Sequence, residues 1–101
     1  MAKEYAPAQG AAAQALWRAA KAGILVSRDD HLEAERLARE AAGLAPAEMP
    51  NLRADLLVDL AEVLLRAGQP AKAGSVIAEA IELYERKGNL VSAARGRSFW
   101  A

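Results

Sequence analysis

The sequence predicts an all-α fold, a stack of antiparallel helical hairpins without strands. Three observations carry it. A pattern occurs twice at a separation of 39 residues: Ala22, Leu25, Ala34, Leu37 and Ala41 recur as Ala61, Leu64, Ala73, Val76 and Ala80, and Glu40 and Leu44 return as Glu79 and Leu83. Apolar residues fall at helical spacing in successive segments, with no strand-like alternation to compete. Pro46, Gly68, Pro70 and Gly88 punctuate those segments where helices should stop or start. A hairpin that cannot bury its apolar face alone stacks on its neighbours, and such stacks make binding surfaces rather than catalytic pockets.

Residues 1–9 read as a lead-in, and 10–101 as a single helical domain. The first helix is expected from about Gly10 to Ser27, with Leu16, Trp17, Ala20, Ile24 and Leu25 on one stripe. Asp29 and Asp30 break it. Asp30 followed by Glu33 has capping-box spacing, in which each side chain satisfies a free backbone N–H. The second helix runs from His31 to about Ala42 with Ala34, Leu37, Ala38 and Ala41 inward, closed by Gly43 and Pro46. A linker of Ala45 to Asn51 follows, bracketed by Pro46 and Pro50.

The third helix, about Leu52 to Ala67, carries a broad apolar face of Leu56, Leu57, Leu60, Ala61, Val63 and Leu64. Gly68 stops it, and Pro70 opens the fourth from its favoured first-turn position. That helix reaches about Lys87 with Ala73, Val76, Ile77, Ala80, Ile81 and Tyr84 inward, and Gly88 ends it. Asn89 is the expected N-cap of a shorter fifth helix through Trp100.

Composition narrows the function. Hydrophobic residues make up 53% of the 101-residue chain and aromatics 5%, a balance that suits close-packed helices. Lys plus Arg equals Asp plus Glu at 13 each, so net charge gives no reason to expect a nucleic acid or membrane partner. The chain has no Cys, which removes disulfides and thiolate metal sites and suits a reducing cytoplasm. Neither a membrane-length apolar run nor a signal-peptide core is visible, so a soluble, cytoplasmic protein is expected. From Arg86 to Arg97 there are four basic residues and no acidic one, a pattern that fits a solvated helix end.

Catalytic and metal chemistry find little support. His31 lies among Asp29, Asp30, Glu33 and Glu35, yet the spacing is not that of a Ca²⁺ loop, and capping accounts for Asp30 and Glu33. One His cannot assemble a nucleophilic triad with any visible motif, and the glycines are too scattered for a phosphate loop. No enzyme activity, cofactor or metal is expected.

The stretch Leu57-x2-Leu60-Ala61-x2-Leu64-x3-Gly68-x4-Ala73-x3-Ile77-x2-Ala80 resembles the tetratricopeptide repeat. That family places a large apolar residue, a Leu-small pair and another large residue on its first helix. A turn Gly follows, then Ala, a large apolar residue and Ala on the second helix. Small side chains at Ala61, Ala73 and Ala80 allow the two helices to approach closely. The first hairpin keeps Ala22, Leu25, Ala34, Ala41 and Pro46 in register but departs at Asp29, Lys21 and Ala38, and Trp17 is one residue off its expected site. The resemblance spans about residues 15–88. Asn51 to Leu57 and Leu83 to Asn89 are also similar to repeat regions of large bacterial signalling proteins that carry an ATPase or nucleotide-cyclase module.

The resemblance implies a protein–protein interaction module whose groove is lined by the first helix of each hairpin. Its register puts Leu16, Ala19, Gly23 and Val26, with Asp55, Val58, Glu62, Leu65 and Arg66, in that groove. Members that hold a chaperone's C-terminal carboxylate need Lys and Asn donors, where this chain has Ala19, Ala20, Gly23, Val58, Asp59 and Glu62. An apolar or basic segment suits it better. Two alternatives stand beside this reading. One is a homodimer through the open repeat ends, with Phe99 and Trp100 as the self-association patch. The other is a small-ligand sensor, for which polar anchors are few.

Overall fold

The computed structural model describes residues 7–99, with side chains from Gln9 to Ser98, and within them the chain is all helical. Its helices are α1 (Pro7–Ser27), α2 (His31–Leu44), α3 (Pro50–Arg66), α4 (Pro70–Lys87) and α5 (Leu90–Phe99). The closest packing is α1 on α2 and α3 on α4; α2–α3 and α4–α5 contacts join these pairs, and α1 touches α3 lightly.

The 39-residue recurrence is visible in the backbone. After α1, the Asp30 N–H donates to the Leu25 carbonyl at 2.9 Å and the Asp29 N–H to Val26 at 3.1 Å. After α3, the Gln69 N–H donates to Leu64 at 2.9 Å and the Gly68 N–H to Leu65 at 3.1 Å. Both are Schellman turns, in which a left-handed residue lets the last carbonyls find donors. Gly68 takes φ 76° for this purpose, whereas the first turn forces Asp29 to φ 63°. A side chain pays for that conformation and glycine does not. Asp29→Gly is therefore expected to stabilise the chain by about 0.5–1 kcal/mol, read as a higher thermal midpoint; a loss would mean that the Asp29 side chain contributes more than its backbone costs.

The core is built largely from alanine. Ala15, Ala54 and Ala93 are completely buried and also lie 39 residues apart, so α5 repeats the pattern of α1 and α3. Ala22 and Ala61, Ala34 and Ala73, and Ala41 and Ala80 form further buried pairs, with Leu64 and Ile77 the largest fully enclosed side chains. Small residues at these crossings bring helix axes close enough for many weak dispersion contacts.

Several sequence expectations are corrected. α1 begins at Pro7 rather than Gly10, which takes residues 7–9 out of the expected lead-in. Its apolar stripe does not face inward: Leu16, Trp17 and Ile24 are 54%, 56% and 54% exposed, and only Leu25 of the five expected residues packs on the core. Among the described residues no helix covers that side. The capping box does not form. Asp30 precedes α2 without a side-chain cap bond, and Glu33 instead pairs with Arg36 on its own helix.

Gly43 does not close α2, which continues to Leu44; the stop comes from Pro46, whose ring drives Ala45 out of the helical region to ψ 126°. Pro50 belongs to α3 as its first residue, so the linker shrinks to 45–49. The Asn89 cap is present, its Oδ1 accepting from the Ser92 N–H at 3.2 Å. Trp100, the expected end of α5, lies outside the described residues.

Candidate partner-binding groove

α1 and α3 diverge enough to leave a cavity of about 350 Å³ between them. Its floor is Ala38 and Ala41 of α2. Ala19, Gly23 and Val26 form the α1 wall, which carries no charge. The α3 wall carries Asp59, Glu62 and Arg66. A second recess, of about 380 Å³, lies between α3 and α5 and is bounded by Asp55, Val58, Asp59, Tyr84, Ser92 and Arg95. Asp59 borders both cavities, so the two form one continuous strip along α1, α3 and α5.

Spacing explains the charge on this strip. Asp55, Asp59 and Glu62 follow one another at intervals of four and three, which puts all three carboxylates on one face of α3. The effect on Asp59 is direct. Desolvation by the cavity wall, and then the neighbouring carboxylates of Glu62 and Asp55, hold its pKa above the ordinary 3.8. The native chain thus keeps that proton more tightly than an unfolded one, and ionising Asp59 costs stability as pH rises through the raised value. A cation placed in the strip relieves that cost.

Tyr84 fixes the other end. It is buried on α4, and its hydroxyl donates to Asp55 Oδ1, tying α4 to the groove face of α3. Burial, reinforced by this bond, pushes the phenol well above its ordinary value and keeps it a donor. Outside the strip, Arg18 Nε donates to Glu40 Oε1 at 3.2 Å. On α2, Arg39 and then Gln69 hold Glu35 below the usual carboxylate range.

Seven of the residues expected in the groove come together. Ala19, Gly23, Val26, Glu62 and Arg66 line the first cavity, and Asp55 and Val58 the second. Leu16 does not join them and is exposed elsewhere on α1, and Leu65 packs against the core instead. Among the residues not expected there, Asp59 has a legible signal in its spacing from Asp55 and Glu62. Ser92 and Arg95 have none, since only the docking of α5 brings them to α3. The expected self-association patch cannot be placed: the Phe99 side chain and all of Trp100 lie outside the described residues.

Among the described residues no three His, Asp or Glu side chains converge as metal ligands, and no helix is long and apolar enough to cross a membrane. No protein-family model, curated protein or solved structure matches this chain.

Proposed function

We propose that this chain is a tetratricopeptide-like interaction module that binds a basic, partly apolar peptide segment along α1, α3 and α5. The observation that carries this reading is the asymmetry of the strip, with an uncharged α1 wall facing Asp59, Glu62 and Arg66 on α3 and a third carboxylate, Asp55, continuing the line into the α5 recess. A segment with Lys or Arg on one side and aliphatic residues on the other fits such a strip. Support for the family reading comes from the 39-residue recurrence, the paired Schellman turns and the buried alanines at each helix crossing. The likeness of Asn51 to Leu57 and Leu83 to Asn89 to bacterial signalling repeats makes a regulatory protein the proposed setting.

Selection from a displayed random-peptide library tests the proposal. Enriched peptides should carry basic and aliphatic residues. They should bind Asp59→Lys with Glu62→Arg about tenfold or more weakly, with unchanged helical content by circular dichroism. Binding should also weaken on acidification, beginning above the ordinary carboxylate range because the Asp59 pKa is raised. Acidic consensus peptides, or equal affinity for the double variant, would remove the groove from consideration.

A further inference from the structure

A second surface lies on the far side of α1, where Trp17, Lys21, Ile24 and Arg28 line an open apolar depression. The internal repeat supplies its meaning. Counting 39 residues on, these positions are Leu56, Leu60, Val63 and Ala67 of α3. In α3 the first three are 2%, 3% and 5% exposed, whereas Trp17 and Ile24 are more than half exposed. Among the described helices α3 packs on α2 and lightly on α1, whereas α1 has no such partner on this side; α2, with α1 beside it, covers that arc of α3. The outer face of α1 is the same interface without its covering helix.

What covers α3 defines what suits α1. α2 buries Ala34, Leu37, Ala38, Ala41 and Ala42, and Ala38 and Ala41 line the same cavity as Leu56 and Val63 of α3. The equivalent stripe on α4 includes Ile81, and Ile81 Cγ1 lies 2.8 Å from where a Cβ on Gly96 of α5 would stand. That side of the second helix therefore meets the following first helix. One turn earlier, Glu35 Oε1 accepts from Gln69 Nε2 at 3.1 Å, which brings a carboxylate to the turn after α3. The residue corresponding to Gln69 in the turn after α1 is Asp30, so the repeat does not carry this carboxylate contact over; the basic residues of the α1 face are Lys21 and the exposed Arg28.

Charge agrees with this geometry. α1 contains no acidic residue from Pro7 to Ser27. The Arg18 guanidinium and Lys21 ammonium lie 5.4 and 5.5 Å from the centre of the Trp17 ring. Arg18 is committed to Glu40, but neither Lys21 nor Arg28 joins an ion pair among the described residues.

We propose that the outer face of α1 docks an amphipathic helix built like α2, an alanine stripe flanked by carboxylates. Trp17, larger than the Leu it replaces, takes the space the alanines leave, and Lys21 and Arg28 meet carboxylates. This surface meets the first cavity of the strip only at Ala20 and contains none of its carboxylates, so it does not depend on them.

The test uses the whole chain with Trp100→Phe, so that Trp17 is the only indole, and a synthetic peptide of residues 30–46 added in trans. A saturable blue shift of Trp17 emission is expected. Lys21→Glu with Arg28→Glu should weaken it about tenfold. Asp59→Lys with Glu62→Arg should leave it unchanged, which separates this surface from the groove. Titration calorimetry on the unmodified chain repeats the measurement where Trp100→Phe perturbs folding. No shift, or a shift indifferent to Lys21 and Arg28, overturns the proposal. A blue shift that grows with protein concentration alone, with doubled mass by sedimentation, overturns it in favour of a second copy.

Discussion

Leu64→Ala should lower the free energy of unfolding by about 2–5 kcal/mol, the cost of lost transfer energy plus an unfilled cavity at a fully buried site. Helices close around Leu64 on both sides, since α3 lies between α2 and α4. An array of two hairpins and one further helix has little stability to spare, and a total of about 5–15 kcal/mol is usual for a domain. The loss should therefore move the urea midpoint substantially. The repeat supplies an internal control. Leu25 is the same position in the first unit but is only partly buried, because among the described helices α1 is packed on one side, mainly by α2. Leu25→Ala should cost about 1 kcal/mol, in proportion to the smaller area it hides. Equal losses at the two sites would mean that α1 is covered as fully as α3 in solution.

That contrast also explains what the sequence could convey. α3 and α4 are legible almost to the residue because each has a helix on both sides, so the apolar positions at helical spacing are buried or, at Val76 and Ile81, partly buried against the core. α1 was misjudged for the opposite reason. Periodicity reports that Leu16, Trp17 and Ile24 share a side, but the arc that meets a neighbour is decided by which neighbours exist. The line that does pack, Ala15 and Ala22, is hard to see because alanine favours helices whether buried or not. The same ambiguity hid the recurrence of Ala15 at Ala54 and Ala93, and with it the equivalence of α5 to α1 and α3. Local signals misled in two places. Asp30 and Glu33 have capping spacing, yet Arg36 competes for Glu33, and Gly43 looked like a stop where Pro46 acts instead. In the groove, the carboxylates of α3 could be read from their spacing along one helix. The contributions of Tyr84 and Arg95 depend on where α4 and α5 dock.

Ala73→Leu should destabilise by about 1–3 kcal/mol even though it adds apolar surface. Burial of a larger side chain is favourable by itself, so area alone predicts a gain. Space decides against it. Ala73 is completely buried in the first turns of α4, in the line of small residues it forms with Ala80, and a leucine there must push α4 away from α3. The separation would also disturb the Tyr84–Asp55 hydrogen bond further along the same helix. Ala71→Leu, two residues earlier on an exposed face, controls for helix propensity and should fall within about 0.5 kcal/mol of the parent. Chemical denaturation of the three proteins gives the comparison. Loss of stability at Ala73 alone identifies a close helix crossing whose fit, rather than its hydrophobicity, holds the hairpin. A gain at Ala73 would mean that α3 and α4 leave room there, and the register aligning Ala34 with Ala73 would have to be redrawn.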